Sequence, residues 1–538
     1  MMESFDSPPG PSQARAPSVN WEQFHASIKG SPGLRQLKPN KWNYKYNVEQ
    51  TRMNTDPFVR KSMKYWNPNK YEELYGKTKR AELIQGLESF KNFSRWQRHK
   101  PTSPEFKSAY SRALNATRRV FTPHEPLHRY SVPDVCDKMN LDSAAGYSFP
   151  MKKKSECIEE LYDTASYLAH FISHGKDVFI PPCKLALRGH LSDIDEGKTR
   201  SVWVYPGELS ILEGKWALPY YKFLEEEVPS VHFGEGAMQR LAKMLVGGLA
   251  THDECVEVTL DWSSFDSTVP NWMIDDAFDI LFDSFDEQYT LHQGDLVFGG
   301  QHMEDKNVAV REFLKTYFKK TKIMLPDGTV YAKQHGIPSG SFFTQAIGSI
   351  VNYIAIRTID FHSGWNARRF RVLGDDSSFL IPYGKSRITA DAVADYAWFN
   401  FGMVLKREKL RIAEKQHERK FLGYQVSAYR YERPSEDWLS MVLYPERDVE
   451  FLEQSASRVF AYYLLGGCND EIYCSFFRDY IRRYPILYGR QLPLTHGLKR
   501  LFRFVLRLPL DMLQFPDFSK LNTLKVPFAL SCGDRPFD

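Results

Sequence analysis

Two apolar patterns alternate along the chain. In one, β-forming residues come at every second position or in a short unbroken run. In the other, apolar residues recur at helical spacing. Residues 256–260, Val-Glu-Val-Thr-Leu, and 201–205, Ser-Val-Trp-Val-Tyr, alternate and predict strands. Two more strand-like runs flank Gly374-Asp375-Asp376 within residues 371–381 and predict a hairpin, with Gly374 free to take the positive φ of a tight turn. The helical pattern marks 271–283, an apolar stretch reaching about Ile356, 388–401 and most of the last hundred residues. Residues 419–424 read as a short hairpin, and Pro326-Asp327-Gly328 as a turn. A small-residue loop at 142–150 and a Gly/Pro/Ser loop at 336–344 interrupt these patterns. Pro8, Pro9, Pro11 and Pro17, then Gly30, Pro32, Gly33 and Pro39, predict a flexible or draped extension over residues 1–40. No internal repeat is visible.

Composition narrows the class. At roughly 150 residues per domain, 538 residues make three or four compact units or one multi-lobed enzyme. Apolar residues at 42% supply a full core and exclude a disordered chain. A net charge of +5 is no bulk polycation, so any nucleic-acid binding has to come from local patches. The seven cysteines show no metal-ligand spacing and read as reduced thiols. The first 20 residues lack the apolar segment of a signal peptide, and no apolar run of membrane-spanning length occurs. The Asn-x-Ser/Thr sites at Asn92 and Asn115 are then chance matches.

Several stretches carry candidate chemistry. Adjacent carboxylates raise each other's pKa unless a cation sits between them, so a turn that forces Asp375 and Asp376 together fits a divalent metal site. It fits a solvated turn equally well; Asp275-Asp276 is another such pair, on a helix with Asp279 and with no function assigned. Asp261 ends a strand and Asp266 follows five residues later, a common way to present a metal ligand at a sheet edge. Lys198 and Arg200 lie two apart on one strand face, downstream of Lys184 and Arg188; they suit a triphosphate or guard a solvated edge. Between 41 and 130, Lys and Arg interleave with Tyr, Trp and Phe. That mixture suits single-stranded nucleic acid, but amphipathic helices account for it better. His124-Glu125-Pro126-Leu127-His128 matches a zinc-protease pattern that works only on a helix, which Pro126 opposes. Asn352 stands in an apolar helix and needs a hydrogen-bond partner there. The basic, apolar segment 498–507 reads as a helix packed in its domain with Arg facing RNA or solvent, rather than as a membrane helix.

Taken in order, these pieces resemble the catalytic motifs of viral RNA-dependent RNA polymerases. Asp261-x4-Asp266, Ser339-Gly340-x3-Thr344, Gly374-Asp375-Asp376, Gly402 with Lys409, and Phe421-Leu422-Gly423 follow the palm order of that family. Lys184-x3-Arg188 and Gly197-Lys198-x-Arg200-x-Val202 look like its fingers motif over the incoming nucleotide, and the Gly146 loop like its template motif. The set covers residues 142–424, about half the chain. The Ser-Ala-Ala-Gly-Tyr loop, Pro-Ser-Gly-Ser-x-x-Thr-Gln and Gly-Asp-Asp-Ser look most like partitiviruses, which are double-stranded RNA viruses, with picobirnaviruses next. Many relatives carry Asn four residues after the motif Thr; here that position is Gly348, and Asn352 follows one turn later on the same face.

The resemblance implies an α+β fold, a closed right hand whose palm is an antiparallel sheet backed by helices. The extension takes 1–40, fingers 41–255 and 284–335, palm 256–283 and 336–440, and thumb 441–538. The implied activity is RNA-directed RNA synthesis, replicating and transcribing a viral double-stranded RNA genome. Asp261, Asp375 and Asp376 would hold two Mg²⁺ ions, with Mn²⁺ as a substitute. Lys409, with Lys406 as its rival, would donate a proton to pyrophosphate. Lys184, Arg188, Lys198 and Arg200 would bind the nucleotide with Gly340 and Thr344, while Asp266, Ser339 and Asn352 would read the sugar. Implied partners are template and nascent RNA, ribonucleoside triphosphates and the inner surface of a capsid, with no membrane; the setting is the virion interior in the host cytoplasm. Two other readings address the same residues. A reverse transcriptase shares the palm but usually carries an aromatic gate at the place of Asp266. An RNA-packaging protein explains the basic-aromatic stretches but not three metal-placed aspartates.

Overall fold

The computed structural model describes residues 19–48, 50, 55–75, 77–78, 81–193, 198–231, 255–382, 384, 389–413, 420–427, 430–445, 448–493 and 514–516. The basic, apolar segment 498–507, Gly197 and residues 1–18 lie outside them.

A four-stranded antiparallel sheet organises the centre, in the order Arg368–Leu373, Asp376–Pro382, Cys255–Leu260, Arg411–Ala413. Its inner residues are apolar and β-branched or aromatic: Val256, Val258, Val372, Phe379 and Ile381 are all buried. One buried polar group fixes the pairing. Glu257 Oε1 accepts from Ser378 Oγ at 2.7 Å and from Arg371 at 3.2 Å, tying three strands together. In a sheet buried on one face, a one-residue slip would strip this carboxylate of its partners.

Helix Thr344–Ser363 backs the sheet, and helices Asn271–Phe282 and Pro104–Phe121 pack against that helix in turn. Thr344–Ser363 is buried almost all round, which is why its sequence reads as apolar with few polar breaks. It ends at Gly364 in a left-handed C-cap, one turn or more beyond the expected end near Ile356.

A five-stranded sheet stands beside the centre, in the order Leu34–Gln36, Val330–Lys333, Lys322–Met324, Cys183–His190, Lys198–Val204. The insertion 284–335 thus completes the sheet that carries Lys184 to Arg200. So does the N-terminal extension: Leu34–Gln36 is its edge strand, and helix Trp21–Ile28 buries Phe24 and Ile28. From residue 19 onward the extension is draped rather than loose.

A second core joins Trp438, Tyr473, Phe476, Phe477 and Tyr480 of the C-terminal helices with Val59, Met63, Tyr71 and Leu74. Within the range expected for the fingers, 41–255, the chain therefore also contributes to the core of the C-terminal unit. Helices Pro57–Trp66 and Pro68–Tyr75 pack with the C-terminal unit. Their amphipathic pattern called for a core but carried no mark of which one. His124 and Glu125 precede a strand, Leu127–Tyr130, so the two histidines share no helix face. Among the described residues, no helix is long and apolar enough to cross a membrane, and no disulfide joins the six described cysteines.

Candidate active site

Strand register builds the site. Ser377 pairs with Leu260, so continuing the antiparallel register sets Asp376 opposite Asp261 at the same sheet end. Leu373 pairs with Asp376, leaving Gly374-Asp375 as a two-residue turn with Gly374 at φ +60°. Beyond Asp261 the chain forms a two-residue strand, Trp262–Ser263, which pairs with Val404–Leu405. That pairing delivers Lys406 and Lys409. The backbone N–H of Lys406 donates to Asp261 O, and Lys409 Nζ reaches Asp261 Oδ2 at 2.8 Å. Ser264 takes φ +52°, a left-handed conformation uncommon for a non-glycine residue, and the turn brings Asp266 back to the same place.

The loop after Gly336 closes one side. Ser339 Oγ donates to Asp266 Oδ2 at 2.6 Å. Thr344 Oγ1 latches the loop by donating to Pro338 O at 2.6 Å. At Gly340 a Cβ would lie 1.9 Å from Trp203 O, so no side chain fits where this loop meets the strand Lys198–Val204. Lys198 and Arg200 alternate outward from that strand while Thr199 and Ser201 point in.

These groups line one cavity of about 470 Å³: Lys198, Arg200, Asp261, Asp266, Ser339, Asp375, Asp376, Lys406 and Lys409. Ser89, Asn92 and Phe93 line it too. Sequence reasoning missed them, because nothing in a short helical pattern near residue 90 marks a face as catalytic rather than packed. Lys184 lies elsewhere, its Nζ 4.5 Å from the Tyr46 ring centre. Arg188 is exposed on the neighbouring strand, opposite Arg200 in register. Asp275, Asp276 and Asp279 face cations, Lys319, Lys100 and Lys315 respectively.

Asn352 is fully buried behind the turn. Its Oδ1 accepts from Trp262 Nε1, and its Nδ2 donates to Gly374 O at 2.9 Å and to Asp376 O at 3.3 Å. With its amide used in this way, it buttresses the turn and does not line the cavity. Gly348, one turn earlier, packs on the Gly374 backbone. Both positions therefore face the turn, as their spacing implied.

The electrostatics are those of crowded acids. Burial first, then the charges of Asp375 and Asp261, push Asp376 up to about 6, although it is exposed to the cavity; the recess itself screens it from bulk water. Burial also raises Asp375, and pushes Asp266 to about 6. Burial and the neighbouring Arg200 lower Lys198. The hydrogen bond to Asp261 raises Lys409.

Three carboxylates with no thiolate or imidazole make a hard oxygen donor set, and a cation would relieve the repulsion that raises Asp375 and Asp376. The donors fit a divalent ion. They are not drawn around one point: among the described residues no three acidic, His or Cys side chains converge as a metal cluster, and the ammonium of Lys409 stands at Asp261 instead.

The chain is similar to known proteins in family pattern, in sequence and in fold. A sequence model of viral RNA-dependent RNA polymerases matches residues 47–484. An RNA-directed RNA polymerase of Cryptosporidium parvum virus 1 is 31% identical over 279 residues, 49% of this chain and 48% of that protein. A genome polyprotein of a bovine enteric calicivirus, Newbury agent-1, is 26% identical over 212 residues, 37% of this chain and 9% of the polyprotein. The chain thus spans about half of the first relative and a small part of the second. Among solved structures, the RNA-dependent RNA polymerase of a human picobirnavirus superposes with a TM-score of 0.60 at 16% identity, covering 83% of this chain and 90% of that one. Its insertion-loop deletion mutant gives the same score and covers 92% of that chain. At that identity the likeness is one of fold, the α+β right hand.

Proposed function

The chain belongs to the viral RNA-dependent RNA polymerase family, and on that premise we propose that it synthesises RNA on an RNA template for a double-stranded RNA virus, in replication and in transcription. One observation carries the reading. Three carboxylates, the cations Lys198, Arg200 and Lys409, and the Ser339–Asp266 pair all line a single cavity.

Lys198 and Arg200 bind the triphosphate, and their fixed spacing on a strand pre-organises two positive charges for it. Asp266 and Ser339 hold the 2′-hydroxyl. A site built for that hydroxyl leaves polar groups unpaired when a deoxynucleotide binds. Asp261 and Asp375, assisted by Asp376, would hold two Mg²⁺ ions, which when bound neutralise the triphosphate and ease ionisation of the 3′-hydroxyl. The 3′-oxygen, its proton passing to solvent, forms its bond to the α-phosphorus while the bond to pyrophosphate breaks. Lys409 Nζ supplies the proton that the departing oxygen takes up. The central sheet and its helices form the palm, the five-stranded sheet belongs to the fingers, and the C-terminal helices make the thumb.

The setting rests on resemblance alone: the interior of a capsid in the host cytoplasm, against its inner surface. Template and product would be held mainly through phosphates, so binding weakens as salt rises. The decisive experiment is template-directed ribonucleotide incorporation with Mg²⁺. The wild type incorporates, and Asp375→Asn loses the activity; near-normal synthesis by that variant ends the assignment.

A further inference from the structure

The loop that presents Ser339 is gripped from behind by one buried helix, Gly207–Glu227. Glu213 on that helix has no solvent exposure. Its Oε2 accepts from Ser341 Oγ at 2.9 Å and from the backbone N–H of Phe342 at 2.7 Å. Two turns along the same helix, Tyr221 OH donates to Phe342 O at 2.6 Å and accepts from the N–H of Ala346 at 3.2 Å. Phe342 is therefore tied at both its N–H and its C=O.

We propose that Glu213 is a positioning residue for nucleotide selection: it holds residues 341–342 so that Ser339 stays on Asp266 and the pair can read the ribose. The inference rests on the polymerase reading above and deepens it.

Three observations carry it. A buried carboxylate is expensive, and an apolar side chain would serve if packing were the only need. Burial disfavours the charged form of Glu213 and pushes it up to about 8, opposed by its bonds to Phe342 and Ser341. Its Oε1 has no hydrogen-bond partner among the described residues, so the group is kept for what Oε2 does. Glu213 is not a cap of the helix that follows: Thr344–Ser363 has no side-chain cap at Phe343, and the N–H of Ala346 in its first turn is met by Tyr221 OH.

The other end of the loop is fixed as well. Ser339 O accepts from the N–H of Trp203 at 3.1 Å, and Gly340 packs on Trp203 O too closely for a side chain. Between this anchor and Phe342 only Gly340 and Ser341 intervene. Release of Ser341 and Phe342 therefore loosens the residues next to the sugar reader without unseating the strand that carries Lys198 and Arg200. The consequence is selective: discrimination falls while triphosphate binding persists.

The test uses the full-length protein on an RNA template, measuring kcat and KM for a ribonucleotide and for its deoxy analogue. Glu213→Ala should reduce the ribo/deoxy preference about tenfold, the worth of roughly one buried hydrogen bond, chiefly by slowing ribonucleotide use. Glu213→Gln keeps an acceptor at the Oε2 position and should hold the preference within about twofold of wild type. A folded Glu213→Ala with unchanged preference, or equal losses with both nucleotides, overturns the proposal. If Glu213→Ala does not fold, Ser341→Ala carries the test, because it removes only a hydroxyl; unchanged preference there overturns it equally. A wild type that incorporates no ribonucleotide on RNA refutes the polymerase reading instead, so the two failures are distinguishable.

Discussion

Trp262 Nε1 donates to Asn352 Oδ1 across 2.9 Å, with both side chains buried. The bond joins the segment just after Asp261 to the helix beneath the Asp375-Asp376 turn. Through its other end Asn352 holds Gly374 O and Asp376 O. One amide thus sets the height of the turn relative to Asp261.

Asn352→Ala leaves an indole N–H and two carbonyls without this partner in a dry site, at a cost of about 1–3 kcal/mol for each group left unpaired. The expected outcome is a fall in kcat of at least about tenfold, with nucleotide KM and ribo/deoxy preference held, and a lower melting temperature. Steady-state kinetics with matched ribo and deoxy substrates check it. A changed sugar preference with normal kcat would return Asn352 to the substrate.

At Ser339 the expectation is the reverse. Its hydroxyl contacts Asp266 and lines the cavity. Ser339→Ala should cost roughly one to two powers of ten in ribo/deoxy preference, the range of one charged hydrogen bond. Asp266→Ala should do at least as much. If the two variants are combined, the losses should fall short of additivity, because the residues act as one pair. Unaltered preference in Asp266→Ala removes it from the sugar site.

Much of this site could be read from local pattern. A strand that ends in Asp261, a turn that needs Gly374, and Lys198 and Arg200 on one face are facts of period two and of backbone geometry. What was not legible depends on long-range packing. The partner of Asn352 lies 90 residues away in sequence, and only the fold brings Trp262 to it. Glu213 sits in a helix buried nearly all round, where periodicity gives no preferred face. Lys409 was separable from Lys406 only once Val404–Leu405 had paired with Trp262–Ser263 and fixed which ammonium reaches Asp261. Helices Pro57–Trp66 and Pro68–Tyr75 show the same limit at the scale of domains.

Lys215 offers a pH test of the buried helix. Burial, then the charge of Arg129, brings its pKa down to about 7, against the pull of Glu287. In the unfolded chain the value is about 10.4. Between the two, the unfolded state binds a proton that the folded state lacks, so this group makes stability rise with pH from about 7 to about 10. Lys215→Met removes the slope and should be more stable near pH 7, by an amount on the order of a few kcal/mol. The melting-temperature gain of the variant should shrink from pH 7 to pH 9. Parallel curves for variant and wild type would sink the assignment.

The last prediction concerns the ion pair of Lys409 with Asp261, 2.8 Å apart and partly exposed to the cavity. The ammonium stands on a carboxylate that the proposed chemistry needs for a divalent ion. Lys409→Met should therefore have two separable effects. Removing the competing cation should tighten binding of Mn²⁺, read by electron paramagnetic resonance on the protein without RNA. Removing the proton donor should lower kcat by two to three powers of ten, roughly the share of general-acid catalysis, with little change in nucleotide KM. Lys406→Met should show neither effect at that strength, since it is the backbone N–H of Lys406 that meets Asp261. Weaker Mn²⁺ binding in Lys409→Met would mean that the ammonium organises the acids rather than competing for them. Full activity in that variant would shift the proton-donor role to Lys406.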